Sequence, residues 1–136
     1  MKKLIKLDFI AVNNDLALLF IRIWFCISLF VKHGIEKVFH HQDMLDKFPD
    51  PIHVGPAIGL TFALISDFVC PLLIIMGFGT RLAALFMVIN LFVVFTFMHQ
   101  FSFMDGHAEL VYVYLGLSIF IAIAGPGRYS IDSRIV

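Results

Sequence analysis

The chain has 136 residues, of which 60% are hydrophobic and only 15% charged, and its formal net charge is zero. A soluble domain is about 45–50% apolar and about 25% charged, so too little polar surface exists here for water to be the solvent, and lipid is expected instead. The even charge balance, without a basic stripe, argues against nucleic acid as a partner; the length allows one domain, 1–136.

Residues 1–15 place Lys2, Lys3 and Lys6 ahead of an apolar run. That layout resembles a signal peptide. No small-x-small cleavage site follows the run, which ends in Val31-Lys32-His33-Gly34, so it is expected to be retained as a first span.

Four apolar stretches follow one another at 16–39, 56–78, 82–98 and 110–124. A membrane helix needs roughly 20 residues, with about 17 at the short end. The last two stretches qualify with their flanks, as 80–99 and 109–125. Phe48-Pro49-Asp50-Pro51 and Gly55-Pro56 interrupt the chain before the second span, and Gly77-Phe78-Gly79 makes a tight turn before the third. Gly106 lies in the third connection, and Gly125-Pro126-Gly127 stops the fourth span. An open chain crosses lipid only as a hydrogen-bonded helix. The expected fold is therefore all-α: a four-transmembrane-helix antiparallel bundle. Lys2, Lys3, Lys6, Arg81, Arg128 and Arg134 fall on one side of it, which predicts that both termini are cytoplasmic.

Charged groups inside a span cost about 2.5–3.5 kcal/mol each and normally face the bundle. Arg22, Cys26, Leu29, His33 and Lys37 recur at three- and four-residue spacing, one stripe on the first helix. Snorkelling of Arg22 and Lys37 to the headgroups is the competing reading. Asp67 lies near the middle of the second span. Pro71, four residues on, lacks the amide that would bond the Asp67 carbonyl. At matching depth in antiparallel helices, Arg22 and Asp67 are expected to pair. Asn90, central in the third span, is expected to bridge helices. Glu109 with His33, Lys37 or His99 would form an outer polar cluster, making Asp67, Glu109 and His33 the candidate acid–base residues.

All six histidines map to the outer half. No metal site is expected; His40-His41 with Met44 come nearest to a ligand set. Cys26 and Cys70 lie in apolar stretches and read as buried thiols that could meet in the bundle. Trp24, Tyr112 and Tyr114 fit interface anchoring.

Several of these blocks together resemble the DoxX family. Arg22 followed by Lys32-His33-Gly34-Ile35-Glu36-Lys37 is similar to that family's first helix, an arginine and then His-Gly-x-x-Lys. Gly77-Phe78-Gly79-Thr80-Arg81-Leu82-Ala83-Ala84 resembles its second turn, and His99 the histidine closing its third helix. Glu109 and Gly125-Pro126-Gly127-Arg128-Tyr129-Ser130-Ile131-Asp132 resemble its fourth helix and terminal motif. The family usually has a glutamate and then glycines in the second helix; here stand Asp67 and Cys70-Pro71. The resemblance implies a multi-pass protein of the bacterial inner membrane. It also implies kinship with quinone-linked sulfur oxidation and thiol-redox membrane complexes.

Three functions compete. The first is an oxidoreductase subunit that binds quinone among the helices, with Arg22, His33, Lys37, Asp67, His99 and Glu109 lining the site. A quinone needs an apolar slot, donors at its carbonyls and a proton path. With no haem, iron–sulfur or flavin motif in the sequence, electrons would come through a larger membrane complex or a homo-oligomer. The second is a non-catalytic scaffold or assembly partner, in which the polar residues lock helices together. The third is transport of a small solute, for which no inverted repeat is evident.

Overall fold

The computed structural model describes residues 5–7 and 10–136. Lys2 and Lys3, used above to orient the chain, lie outside them. In chain order the helices are α1 (Asn14–Phe39), α2 (His41–Leu45), α3 (Pro56–Met76), α4 (Thr80–Met98), α5 (Gly106–Ala124) and α6 (Asp132–Ile135). Of these, α1, α3, α4 and α5 are long and apolar enough to cross a membrane, and they run antiparallel in sequence order. The start of α1, the α3–α4 turn and the end of α5 share one end of the bundle, here called proximal. The α1–α3 and α4–α5 connections share the other, distal end.

Capping explains where the helices begin. The Asn13 side chain accepts from the Leu16 N–H at 3.0 Å, so α1 starts at Asn14, two residues before the apolar run. The Asp105 side chain accepts from the His107 N–H at 3.1 Å and starts α5 at Gly106. Pro56 sits in the first turn of α3, where a missing N–H costs nothing. Gly77, at φ 73°, ends α3 in the left-handed conformation that glycine adopts without strain.

Each long helix buries one face. On α1 the buried residues are Arg22, Phe25, Cys26 and Leu29; on α4 they include Ala83, Ala84, Met87 and Leu91. Phe25, Cys26 and Leu29 of α1 and these four residues of α4 meet Cys70 and Ile74 of α3 and Tyr114, Leu115 and Ile121 of α5 in one core. The opposite faces are also apolar. Phe20, Trp24, Ile27 and Val31 on α1, and Leu82, Leu85, Ile89 and Phe92 on α4, are exposed. A soluble monomer does not expose apolar surface on this scale, and a bilayer covers it. The protein is an integral, multi-pass membrane protein.

Three of the four spans contain a π-helical turn: Phe30–Gly34 in α1, Ile65–Val69 in α3 and Val94–Met98 at the end of α4. The first two pack against each other. At their crossing a Cβ on Gly34 would collide with the Asp67 carbonyl oxygen and lie 3.1 Å from the Phe68 Cα. Only a glycine lets the backbones approach so closely. Pro71 removes the amide that would have bonded the Asp67 carbonyl, and the wider turn instead carries the Cys70 N–H to the Ile65 carbonyl. The π turn in α1 has a second effect. Residues four apart drift by roughly 40° around an α-helix; the wider turn absorbs this drift, keeping His33 and Lys37 in line with Leu29.

Candidate functional site

All four spans, α2 and the segment after it line a cavity of about 440 Å³ in the distal half. Leu29, Ala63, Leu91, Leu110 and Val111 form apolar walls, and Met44 and Phe48 cover it from the α1–α3 connection. Every π turn contributes to the lining, through His33, Asp67, Val94 and Met98. Such turns place side chains that a regular helix would direct elsewhere.

Inside this apolar wall stands one ion pair, Lys37 Nζ to Asp67 Oδ2 at 2.8 Å. Both side chains are about nine-tenths buried, with 11% and 9% of their surface exposed. Lys37 also donates to the His33 carbonyl at 3.4 Å. The second carboxylate oxygen, Asp67 Oδ1, is buried and has no hydrogen-bond partner. Asn90 is buried on the cavity wall. Its amide makes no hydrogen bond among the described residues, so it faces the cavity with its donors and acceptor unused. It does not bridge helices as its central position led us to expect. The Tyr114 hydroxyl lies 2.7 Å from Ser28 Oγ, and its ring meets His33 edge-on at 6.1 Å. Tyr114, read above as an interface anchor, is therefore a core residue of the cavity wall. His99 Nδ1 lies 3.5 Å from Asp105, and His99 and exposed His107 line the cavity on its outer side.

Arg22 is elsewhere, and the expected Arg22–Asp67 pair does not form. A helical side chain leans toward its helix N-terminus. On α1 that direction carries Arg22 toward the proximal end, away from Asp67, and carries Lys37 down into the bundle onto it. The buried guanidinium donates to the carbonyls of Ile74 at 3.0 Å, Ile75 at 3.1 Å and Tyr129 at 3.2 Å, and also to that of Pro126. The first two are end carbonyls of α3, where the helix dipole favours a cation; the others belong to the segment after α5.

That segment is tied down on both sides. Asp132 accepts from the N–H groups of Gly79 at 2.8 Å and Thr80 at 2.9 Å, capping α4. Asp15 accepts from the Arg128 N–H at 2.9 Å. Desolvation raises the Asp132 pKa, but the Thr80 and Gly79 N–H groups outweigh it and hold the carboxyl below its ordinary value. The turn and terminal motifs thus form a structural lock, with Arg22 at its centre.

Glu109 is exposed at the start of α5 and does not line the cavity. Of the six residues expected to line one site, the structure brings together His33, Lys37, Asp67 and His99, and leaves out Arg22 and Glu109. His40 is exposed, with its Nδ1 3.3 Å from the Glu36 carbonyl; His41 is half-buried, and Met44 turns to the cavity. Among the described residues no three His, Cys, Asp or Glu side chains cluster as metal ligands. Cys26 and Cys70 are both buried in the one core.

The volume lies within the range of about 300–1,000 Å³ usual for small-ligand sites, which are mostly apolar with a few placed polar groups. The Asn90 amide and the Lys37 ammonium are hydrogen-bond donors on the wall of this cavity.

A four-span membrane bundle, locked at one end and hollowed around a buried ion pair at the other, is the class of protein defined here. The chain belongs to the DoxX family, whose model matches residues 17–100. It is 28% identical over 131 residues to an uncharacterized protein of Haemophilus influenzae, covering 91% of this chain and 86% of that relative. No solved structure matches the chain.

Proposed function

We propose that this protein is a subunit of a redox-linked complex of the bacterial inner membrane and that it binds a quinone in the distal cavity. The observation that carries this reading is a mostly apolar cavity lined by the buried Lys37–Asp67 pair and by Asn90, whose amide makes no hydrogen bond among the described residues. Because that amide has no protein partner among the described residues, a ligand head beside it can hydrogen-bond it without breaking an existing bond. A lipid-borne ring with carbonyls at its edge suits both the walls and the donors. When bound, the quinone supplies the electron-accepting chemistry. The protein's own residues bind and orient the ring, with His33, Asp67 and His99 on the cavity wall.

In the orientation we propose, the proximal end is cytoplasmic, because Lys6, Arg81, Arg128 and Arg134 lie there. The cavity then faces the periplasmic side. Electrons reach or leave the site through a partner subunit or a second copy of this chain.

Mild extraction of the protein and analysis of its retained lipids tests the reading. Quinone should co-purify in near-equal amount with the wild type and be depleted at least tenfold in Asn90→Leu. If the wild type carries no more quinone than an unrelated membrane protein of equal size, the cavity is not a quinone site. The recovery of only partner proteins would instead favour a scaffold.

A further inference from the structure

At the proximal end a second recess lies on the lipid-facing side, between α1 and α5. It holds about 690 Å³, and its lining is apolar apart from Asn14. The short side chains of Ala17 and Ala124 leave room beside Phe20 and Phe120, and all four residues are exposed. Phe20 stacks on Trp24, with ring centroids 5.5 Å apart, which holds that edge of the groove in place. From Asn14 to Ile21 the groove follows α1 for roughly 10 Å, inward from the membrane surface. Within a bilayer no water is present to fill an apolar groove, and an acyl chain takes its place.

The mouth of the groove is basic. The Arg128 N–H donates to Asp15 at 2.9 Å, and a Cβ on the adjacent Gly127 would lie 3.3 Å from Leu18, a groove residue. Arg128 is exposed, and its guanidinium forms no ion pair among the described residues. Asp15 is the neighbouring carboxylate, and its Oδ1 is already engaged by the Arg128 N–H. Asn14 brings to the groove an amide of the kind that donates to an ester carbonyl. A guanidinium pairs with a phosphate through two parallel bonds. A phospholipid presents phosphate, ester and apolar chain in the order in which Arg128, Asn14 and the groove would receive them. A zwitterionic headgroup would also bring its ammonium toward the guanidinium, and so would gain less.

We propose that this groove holds one phospholipid with an anionic headgroup, its acyl chain between α1 and α5 and its phosphate on Arg128. A second copy of this chain, packed here by its apolar helices, would bring no anion to Arg128, whereas a lipid phosphate does. The site is separate from the distal cavity and does not depend on the quinone reading.

The test is native mass spectrometry of the full-length protein in detergent. The probes are phosphatidylglycerol, phosphatidylethanolamine and phosphatidylcholine with identical chains. The wild type should take up one phosphatidylglycerol with roughly fivefold higher affinity than either zwitterionic lipid, the worth of one basic side chain at an anionic surface. Arg128→Gln keeps the backbone bonds to Asp15 and Ser133. It should bring phosphatidylglycerol down to the level of the other two and leave those unchanged. Ala17→Phe fills the groove from an exposed position and should weaken all three lipids; Arg128→Gln decides the case alone if that variant fails to assemble. Equal binding of the three lipids by the wild type overturns the proposal. A phosphatidylglycerol preference that survives Arg128→Gln places the lipid elsewhere and overturns it as well. A dimeric wild type that becomes monomeric in Ala17→Phe gives the groove to a second copy instead.

Discussion

Lys37 and Arg22 are two cations on one stripe of one helix with opposite fates, and the lean of a helical side chain separates them. Lys37 finds a carboxylate, whereas Arg22 finds four carbonyls. Removing one partner of a buried ion pair leaves the other uncompensated, typically at about 3–5 kcal/mol. Lys37→Met should therefore lower thermal stability in detergent sharply, and the double change Lys37→Met with Asp67→Leu should restore most of it. If the double variant is as unstable as the single one, the pair is not what couples these residues. At Arg22 even a conservative change is costly, because a lysine ammonium cannot follow the spread of the planar guanidinium. Arg22→Lys should lose at least one charge-assisted bond, about 1.5–3 kcal/mol. Its cleavage by protease should rise first in the segment after α5. The stripe itself was legible from the spacing of Arg22, Cys26, Leu29, His33 and Lys37. The partner was not, because depth along a helix axis says nothing about which way a long side chain leans.

The crossing of α1 and α3 depends on Gly34, where a side chain would meet backbone rather than a movable side-chain end. Gly34→Ala should cost about 1–3 kcal/mol, the usual penalty for overpacking, and should also weaken ligand retention by shifting Asp67. An unchanged unfolding temperature would mean that the helices can part without loss. At the other end of α3, Asp132 caps α4. Its carboxyl is held below its unfolded value of about 3.9. The stabilisation is therefore fully present above about pH 4 and is lost as pH falls through the lower folded value. In an acid titration of unfolding temperature, the wild type should lose stability in that window more steeply than Asp132→Asn. Parallel curves would remove the cap from the account. The helices and their breakers could be read from hydropathy, glycine and proline. The π turns could not, although Pro71 pointed to one by leaving the Asp67 carbonyl without an amide. Three such turns shape the cavity, so its lining was only partly visible beforehand. Asn90 was seen, but its freedom from any partner depends on the space beside it, which only packing defines.

Over the whole molecule, polar function divides between the two ends. Of the blocks that resemble the DoxX family, Arg22, the turn after α3 and the terminal motif form the proximal lock, while the His-Gly-x-x-Lys block and His99 line the distal cavity. Charge placement predicts the orientation across the membrane. In intact cells an impermeant thiol reagent should label Met104→Cys, at the exposed distal loop, and should spare Ser133→Cys until the membrane is opened. The native Cys26 and Cys70 are buried and give little background. The opposite labelling pattern would invert the protein and place the cavity on the cytoplasmic side.

Photo-crosslinking with a quinone that carries a light-activated group on its ring tests the central claim most directly. Modified peptides should come from α1 around Leu29–Lys37 and from α4 around Asn90–Met98, and excess unmodified quinone should suppress them. Labelling confined to lipid-facing residues such as Phe20 and Ile123, indifferent to competitor, would contradict the assignment of this cavity as the binding site.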